Sequence, residues 1–171
     1  SYFKNLKIKP TYTYGYPIYN YYAYGNRVDS CVLDGGSYGL YDYFSKYNVF
    51  RKNVIKNQRD HNVYCYYSEQ EVFQKNELRN PYYYNLYTYA ATDLKLLGNY
   101  FEGGTRYSLY NWASYNGERD SVAGNYFTKA DYYNLLIYNN SNSIFVNNII
   151  NGQLPGKNYF ESNFYLFQGD G

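Results

Sequence analysis

The sequence predicts an all-β solenoid, a parallel β-helix of about seven coils, and three observations predict it. The first is a repeat: NVFRKNVIKN (48–57), EVFQKNELRN (71–80), LKLLGNYFEGG (94–104), DSVAGNYFTK (120–129) and SIFVNNIING (143–152) place Asn53, Asn76, Asn99, Asn125 and Asn148 in one column, at spacings of 23, 23, 26 and 23. A fixed period of this size marks repeats that bury their apolar faces only by stacking on one another. The second is a companion series, YPIYNYY (16–22), YGLYDYF (38–44), HNVYCYY (61–67), YNLYTYA (84–90), YSLYNWA (107–113), YNLLIYN (133–139) and SNFYLFQ (162–168), which gives each coil a further strand. The third is composition. Thirty Tyr, abundant Asn, 14 Gly and only 4 Pro in 171 residues suit half-buried strands and tight turns rather than helices.

Each coil then reads as a strand ending at the Asn column, a short strand after it, a loop of variable length and the Tyr-rich strand. Side chains alternate along a strand, so parity assigns faces. Val28, Phe50, Phe73, Leu96, Val122 and Phe145 form one apolar column, and Leu33, Ile55, Leu78, Phe101, Phe127 and Ile150 form a second. Both point inward, while Asp34, Lys56, Arg79, Glu102, Thr128 and Asn151 alternate with the second column and point to water. On the Tyr-rich strand Ile18, Leu40, Val63, Leu86, Leu109, Leu135 and Phe164 point inward. Two aromatic columns on that strand therefore face outward: Tyr19, Tyr41, Tyr64, Tyr87, Tyr110, Leu136, Tyr165, and Tyr21, Tyr43, Tyr66, Tyr89, Trp112, Tyr138, Phe167. The same parity sends Asn20, Asp42, Cys65, Thr88 and Asn111 inward, where Asp42 needs hydrogen-bond donors. The opposite register would crowd two Tyr per strand into a narrow core and leave each phenol needing a buried partner.

The chain is expected to be a single domain over 1–171 and, lacking Met even at position 1, a segment of a longer chain. Residues 1–15 are expected to form an irregular first coil, with Asn5 or Ile8 standing in the Asn ladder if one turn is longer. The stretch 114–119 accounts for the spacing of 26, and 152–161 is an insertion loop. Gly35-Gly36 and Gly103-Gly104 supply left-handed turns. Sixteen basic and 14 acidic residues, net +2, argue against nucleic acid as partner. No apolar run is long enough to span a bilayer. Cys31 stands in the Asn column and Cys65 on another wall, so two interior thiols are expected rather than a bridge.

The pattern apolar–x–x–Asn–x–apolar, a turn, then apolar–x–apolar at a period near 23 resembles the pectate-lyase-like right-handed parallel β-helix superfamily. YNLLIYNNSNSIFVNNIING (133–152) is similar to the NosD-type, carbohydrate-binding and sugar-hydrolase repeats of that superfamily. The resemblance implies a right-handed coil and a hydrogen-bonded ladder of Asn53, Asn76, Asn99, Asn125 and Asn148, ended by Cys31. It includes lyases, hydrolases, epimerases, tailspikes and adhesive stalks, so fold alone does not choose an activity.

The aromatic face is the main functional signal. Seven coils stacked at roughly 4.8 Å give a ribbon about 30 Å long, a larger exposed apolar surface than monomers ordinarily carry. Tyr41, Tyr43, Tyr64, Tyr66, Tyr87, Tyr89, Tyr110 and Trp112 are the candidate carbohydrate-binding residues; a homo-oligomer or neighbouring chain could instead cover them. A third column, Tyr16, Tyr38, His61, Tyr84, Tyr107 and Tyr133, borders them. Weak catalytic candidates are Lys56 and Arg79, whose charge would neutralise a uronate carboxylate, and His61 as a base. Against these stand a plain inter-coil charge ladder of Asp34, Lys56, Arg79 and Glu102, and a structural His61. No paired carboxylates at a defined spacing, no phosphate loop and no cluster of metal-ligand type occur, so no cofactor or metal is expected. The leading expectation is an extracellular, cell-surface or virion-surface module that contacts a polysaccharide or glycan through its Tyr/Trp face. The alternatives are a lyase or hydrolase acting on acidic polysaccharide and a purely structural adhesin or fibre segment.

Overall fold

The structure, a computed structural model, describes residues 1–112, 119–152 and 163–167. Strands of mostly three, three and six residues follow one another around each coil, and each pairs in parallel with its counterpart one coil away. Three seven-stranded parallel sheets result. The first wall runs from Tyr2–Lys4 to Ile144–Val146, the second from Lys7–Ile8 to Ile149–Asn151, and the third from Ile18–Tyr21 to Phe164–Phe167.

Registers follow the apolar columns. Phe50 pairs with Phe73 on the first wall, Leu78 with Phe101 on the second and Leu86 with Leu109 on the third, and all are buried. Inside, Phe50 and Phe73 stack at 4.8 Å and Phe101 and Phe127 at 4.7 Å. Each such side chain contributes about 1.5–3 kcal/mol by leaving water, and the column is continuous because each ring also covers the next. The thiols of Cys31 and Cys65 are buried and unbridged.

Corners are made by left-handed residues. In one coil Phe44, Tyr47, Lys52 and Asn57 take φ of 48°, 60°, 55° and 60°, a conformation that costs a non-glycine residue about 1–2 kcal/mol. Polar ladders hold those corners in place. At the expected corner, Asn76 Oδ1 accepts both the backbone N–H of Asn53 (2.9 Å) and its Nδ2 (3.0 Å), while Asn76 Nδ2 donates to the Phe50 carbonyl and to Asn99 Oδ1. Every donor and lone pair is thereby used, and the pattern continues through Asn125 to Asn148. Cys31 ends the ladder by donating its N–H to Asn53 Oδ1.

Two further ladders were not anticipated. At the corner before the first wall, Asn48 Oδ1 accepts from Asn26 N–H, Asp120 Oδ1 from Leu94 N–H and Ser143 Oγ from Asp120 N–H. At the entry to the third wall, Asn62 Nδ2 donates to Asn85 Oδ1 (2.7 Å), and Asn134 Nδ2 donates to the Gly152 carbonyl. Gly39 opens this column. A Cβ there would lie 2.4 Å from the Ile55 side chain.

The inward polar set of the third wall bonds within itself and to the first of these extra ladders, leaving Asp42 Oδ2 and Glu71 Oε2 buried without a partner. Asn20 donates to Asp42 Oδ1 (2.9 Å), Thr88 Oγ1 donates to Asn111 Oδ1, and Asn111 Nδ2 donates to Asp120 Oδ2. Asp42 and Glu71 meet here, fully buried. Burial, then the charge of Asp42, pushes the Glu71 carboxyl up to about 10, and burial raises Asp42 against the donors that hold it. The pair therefore keeps a proton.

Two details of the first coil differ from expectation. Residues 1–15 are regular over their first part, since Tyr2–Lys4 and Lys7–Ile8 are in register with the next coil. Neither Asn5 nor Ile8 stands in the Asn column: Lys7 pairs with Val32, which sets Leu6 beside Cys31, and Asn5 takes the left-handed corner. Of the 152–161 insertion only Gly152, and of 114–119 only Arg119, lie among the described residues.

Candidate functional site: the tyrosine wall

The outer surface of the third wall carries the aromatic columns in register. Tyr41, Tyr64, Tyr87 and Tyr110 are paired in one, Tyr43, Tyr66, Tyr89 and Trp112 in the other. Inward Leu40, Val63, Leu86 and Leu109 fix this parity, and the aromatic side chains are half-buried against one another rather than fully exposed.

Ring orientation decides what the wall presents. Tyr43 and Tyr66 stack at 5.1 Å with 4° between planes, Tyr66 and Tyr89 at 5.2 Å and 10°, Tyr64 and Tyr87 at 4.9 Å and 18°, Tyr87 and Tyr110 at 5.0 Å and 11°. In these stacks each flat face is covered by the next coil's ring, whereas Tyr41 meets Tyr64 edge-on, at 82°. What faces water is therefore the ring edge and the hydroxyl. Parallel phenols held about 5 Å apart cannot hydrogen-bond to each other, since an O–H···O bond spans about 2.7 Å. Among the described residues no protein group accepts from or donates to the hydroxyls of Tyr41, Tyr64, Tyr87 and Tyr110. Trp112 breaks the stack: it is tilted 57° to Tyr89 and 53° to Tyr138 and is 36% exposed.

The phenols stay neutral. Burial first, then the neighbouring phenols, pushes Tyr41, Tyr87 and Tyr110 up to about 12 and raises Tyr64 further. Each hydroxyl remains both donor and acceptor through the ordinary pH range.

An aromatic corner continues the wall and escaped the sequence reading. Tyr22, Phe44 and Tyr67 stack at 5.4 Å and 5.0 Å in left-handed backbone. The signal was the last letter of YPIYNYY, YGLYDYF and HNVYCYY. On the opposite border His61 sits in the third column but is 8% exposed, with Tyr84 at 4.6 Å, Tyr38 at 5.2 Å and Tyr64, Tyr83 and Tyr87 within 6 Å. Burial, with Arg106 nearby, lowers it to about 4. It is a neutral imidazole caged by phenols.

Lys56 and Arg79 lie on the second wall, around a corner from the tyrosines. They are paired in register, and their charges are answered there: Lys56 Nζ lies 3.9 Å from Asp34, Arg79 lies 3.0 Å from Glu77 and 3.4 Å from Glu102, and Lys129 Nζ lies 2.6 Å from Glu102. The ladder Asp34–Lys56–Arg79–Glu102 is present. The structure thus brings the eight aromatic candidates together and keeps Lys56 and Arg79 apart from them and from His61.

Comparison with known proteins agrees with this architecture. A double mutant of the periplasmic alginate epimerase AlgG superposes with a TM-score of 0.57 at 11% identity, over 90% of this chain and 35% of that one. The A-module of the mannuronan C-5 epimerase AlgE6 of Azotobacter vinelandii gives 0.60 at 14% identity, over 96% of this chain and 53% of that one. The chain thus spans about a third and about half of these neighbours, and the likeness is one of fold. No curated relative matches it. The model of the family described as periplasmic copper-binding protein (NosD) matches residues 4–165. The chain, a right-handed parallel β-helix of about 23 residues per coil, belongs to the NosD family.

Proposed function

We propose that this chain is a carbohydrate-contacting β-helix module that works outside the cytoplasm and uses the third wall as its contact surface. The observation that carries the reading is the row of hydroxyls of Tyr41, Tyr64, Tyr87 and Tyr110, without protein partners among the described residues and held in register on a rigid sheet. Such a surface has donors and acceptors to give, set among apolar ring edges, as a sugar chain requires. The periplasmic description of the family and of one fold neighbour supports a location outside the cytoplasm.

Copper, named in the family's description, does not find its donors here. Soft thiolate or thioether sulfur and imidazole are its usual ligands. The chain has no Met and one His; that His is caged by phenols, and the two thiols are buried. Among the described residues no three His, Cys, Asp or Glu side chains group together.

The fold neighbours favour one second reading, an enzyme acting on uronate polymers with Lys56, Arg79 or His61 taking part. The test is a panel of immobilised glycans read for retention and for released or epimerised product. Retention that falls on Trp112→Ala with Tyr89→Ala, with folding intact, supports the contact surface. Product that disappears on Lys56→Ala or Arg79→Ala supports the enzyme instead.

A further inference from the structure

Resting on the reading of the third wall as a glycan surface, we infer that its ligand is an uncharged, extended, equatorially linked polysaccharide lying along the coil axis with one sugar to each coil, not a polyuronate. Three observations carry this. The first is charge: from Tyr41 to Trp112 the two central columns hold seven tyrosines and one tryptophan and nothing else. The nearest charges stand at the rim, where Arg106 Nη1 is 3.4 Å from the Tyr84 hydroxyl and the charge of Asp60 acts on Tyr38. A polyuronate brings one carboxylate per sugar, and along the two columns these would lie on phenols with no cation between them, Arg106 standing only at the rim. The basic residues that could serve, Lys56 and Arg79, are on another wall and already paired.

The second observation is spacing. Rings repeat at 4.9 Å and 5.0 Å along the axis from Tyr64 to Tyr110 and at 6.1 Å and 6.2 Å across the strand, Tyr64 to Tyr66 and Tyr41 to Tyr43. An extended chain of equatorially linked pyranoses advances by close to one coil per sugar, and a pyranose is about as wide as the gap between columns. Each sugar therefore meets one side chain from each column, a hydroxyl everywhere but at Trp112. The third observation is orientation. Because the faces stacked from Tyr43 to Tyr89 and from Tyr64 to Tyr110 are covered, recognition along these runs uses hydroxyl edges, which suits equatorial hydroxyls spread along the margins of a flat polymer. Trp112, tilted out of the stack and 36% exposed, is a place where a sugar face can stack.

The experiment is calorimetric titration of the purified chain with two matched probes, a hexamer of β-1,4-linked glucose and a hexamer of β-1,4-linked mannuronate, at low and high salt. The expected result is preference for the glucose hexamer by about tenfold or more, affinity that grows with length from dimer to hexamer, and no response to salt. Both should be weakened by Tyr64→Phe with Tyr87→Phe, which keeps the stacks and removes hydroxyls. Tighter, salt-sensitive mannuronate binding that still falls on the Tyr→Phe pair overturns the neutral-polymer inference and leaves the glycan surface standing. Binding of either probe that ignores the Tyr→Phe pair overturns both. So does failure of the folded chain to bind either hexamer, or association of the chain with itself through this wall.

Discussion

The outer faces of the second and third walls are built on the same backbone and end differently. On the second wall long charged side chains reach across the coil spacing and close on one another: Lys56 to Asp34, Arg79 to Glu77 and Glu102, Lys129 to Glu102. On the third wall rigid phenols stand parallel about 5 Å apart, and their hydroxyls cannot meet. A stacked repeat thus satisfies flexible ions internally and leaves rigid phenols open. The wall with the more ionic residues is the quieter one, since its exposed pairs contribute only about 0–1 kcal/mol each, and the uncharged wall keeps the unused hydrogen-bonding capacity.

The largest effect should come from breaking what the walls share. Asn76→Ala leaves the buried Asn53 N–H without its acceptor and removes a second donor from the Phe50 carbonyl, a loss of about 1–3 kcal/mol. Denaturant unfolding should show it, and both walls should fail together. Next, removing hydroxyls alone separates the walls. Tyr64→Phe, Tyr87→Phe and Tyr110→Phe together forgo three hydrogen bonds of about 1 kcal/mol each, so glycan affinity should drop roughly a hundredfold while the unfolding midpoint stays near the parent's.

Acid–base behaviour sharpens the comparison further. Glu71 is raised in the folded chain from 4.5 to about 10. Its contribution is therefore present below 4.5 and is lost as pH rises toward about 10, because the unfolded chain ionises first. Glu71→Gln should flatten the fall in stability over that window, read as melting temperature against pH. Glycan retention should hold to about pH 10 and be lost only toward 12, where Tyr41, Tyr87 and Tyr110 ionise. The smallest effect belongs to the second wall. Lys56→Ala should change stability by less than about 1 kcal/mol and glycan affinity by nothing measurable.

How much of this was legible in the sequence follows from how each feature is encoded. The Asn column from Asn53 to Asn148 was readable because one residue type recurs at one period. The corner ladder of Asn48, Asp120 and Ser143 was not, because any side-chain oxygen that reaches the preceding coil's N–H serves there and the letters vary, with Leu94 giving only its own N–H. The third ladder had a visible trace in HNV, YNL, YSL and YNL, masked by the louder tyrosines on either side. Parity placed Tyr64 and Tyr66 outward and Asp42 inward, as period two allows. It could not give ring orientation, which depends on side-chain torsions and on the ring one coil away. The aromatic surface was thus readable as a place, whereas its chemistry as hydroxyl edges was not. His61 shows the same limit: its column is tyrosine, but the smaller imidazole sinks beneath Tyr64, Tyr84 and Tyr87 and loses the access a surface base needs.

The most direct test of the account sets the two walls against each other on one ligand. Affinity for the glucose hexamer should be measured for the parent chain, for the Tyr64→Phe, Tyr87→Phe, Tyr110→Phe variant and for a Lys56→Ala, Arg79→Ala variant, each shown to be folded. The account predicts loss in the first variant and parental affinity in the second. Parental affinity in the tyrosine variant with loss in the Lys56, Arg79 variant would contradict it and move the site to the second wall.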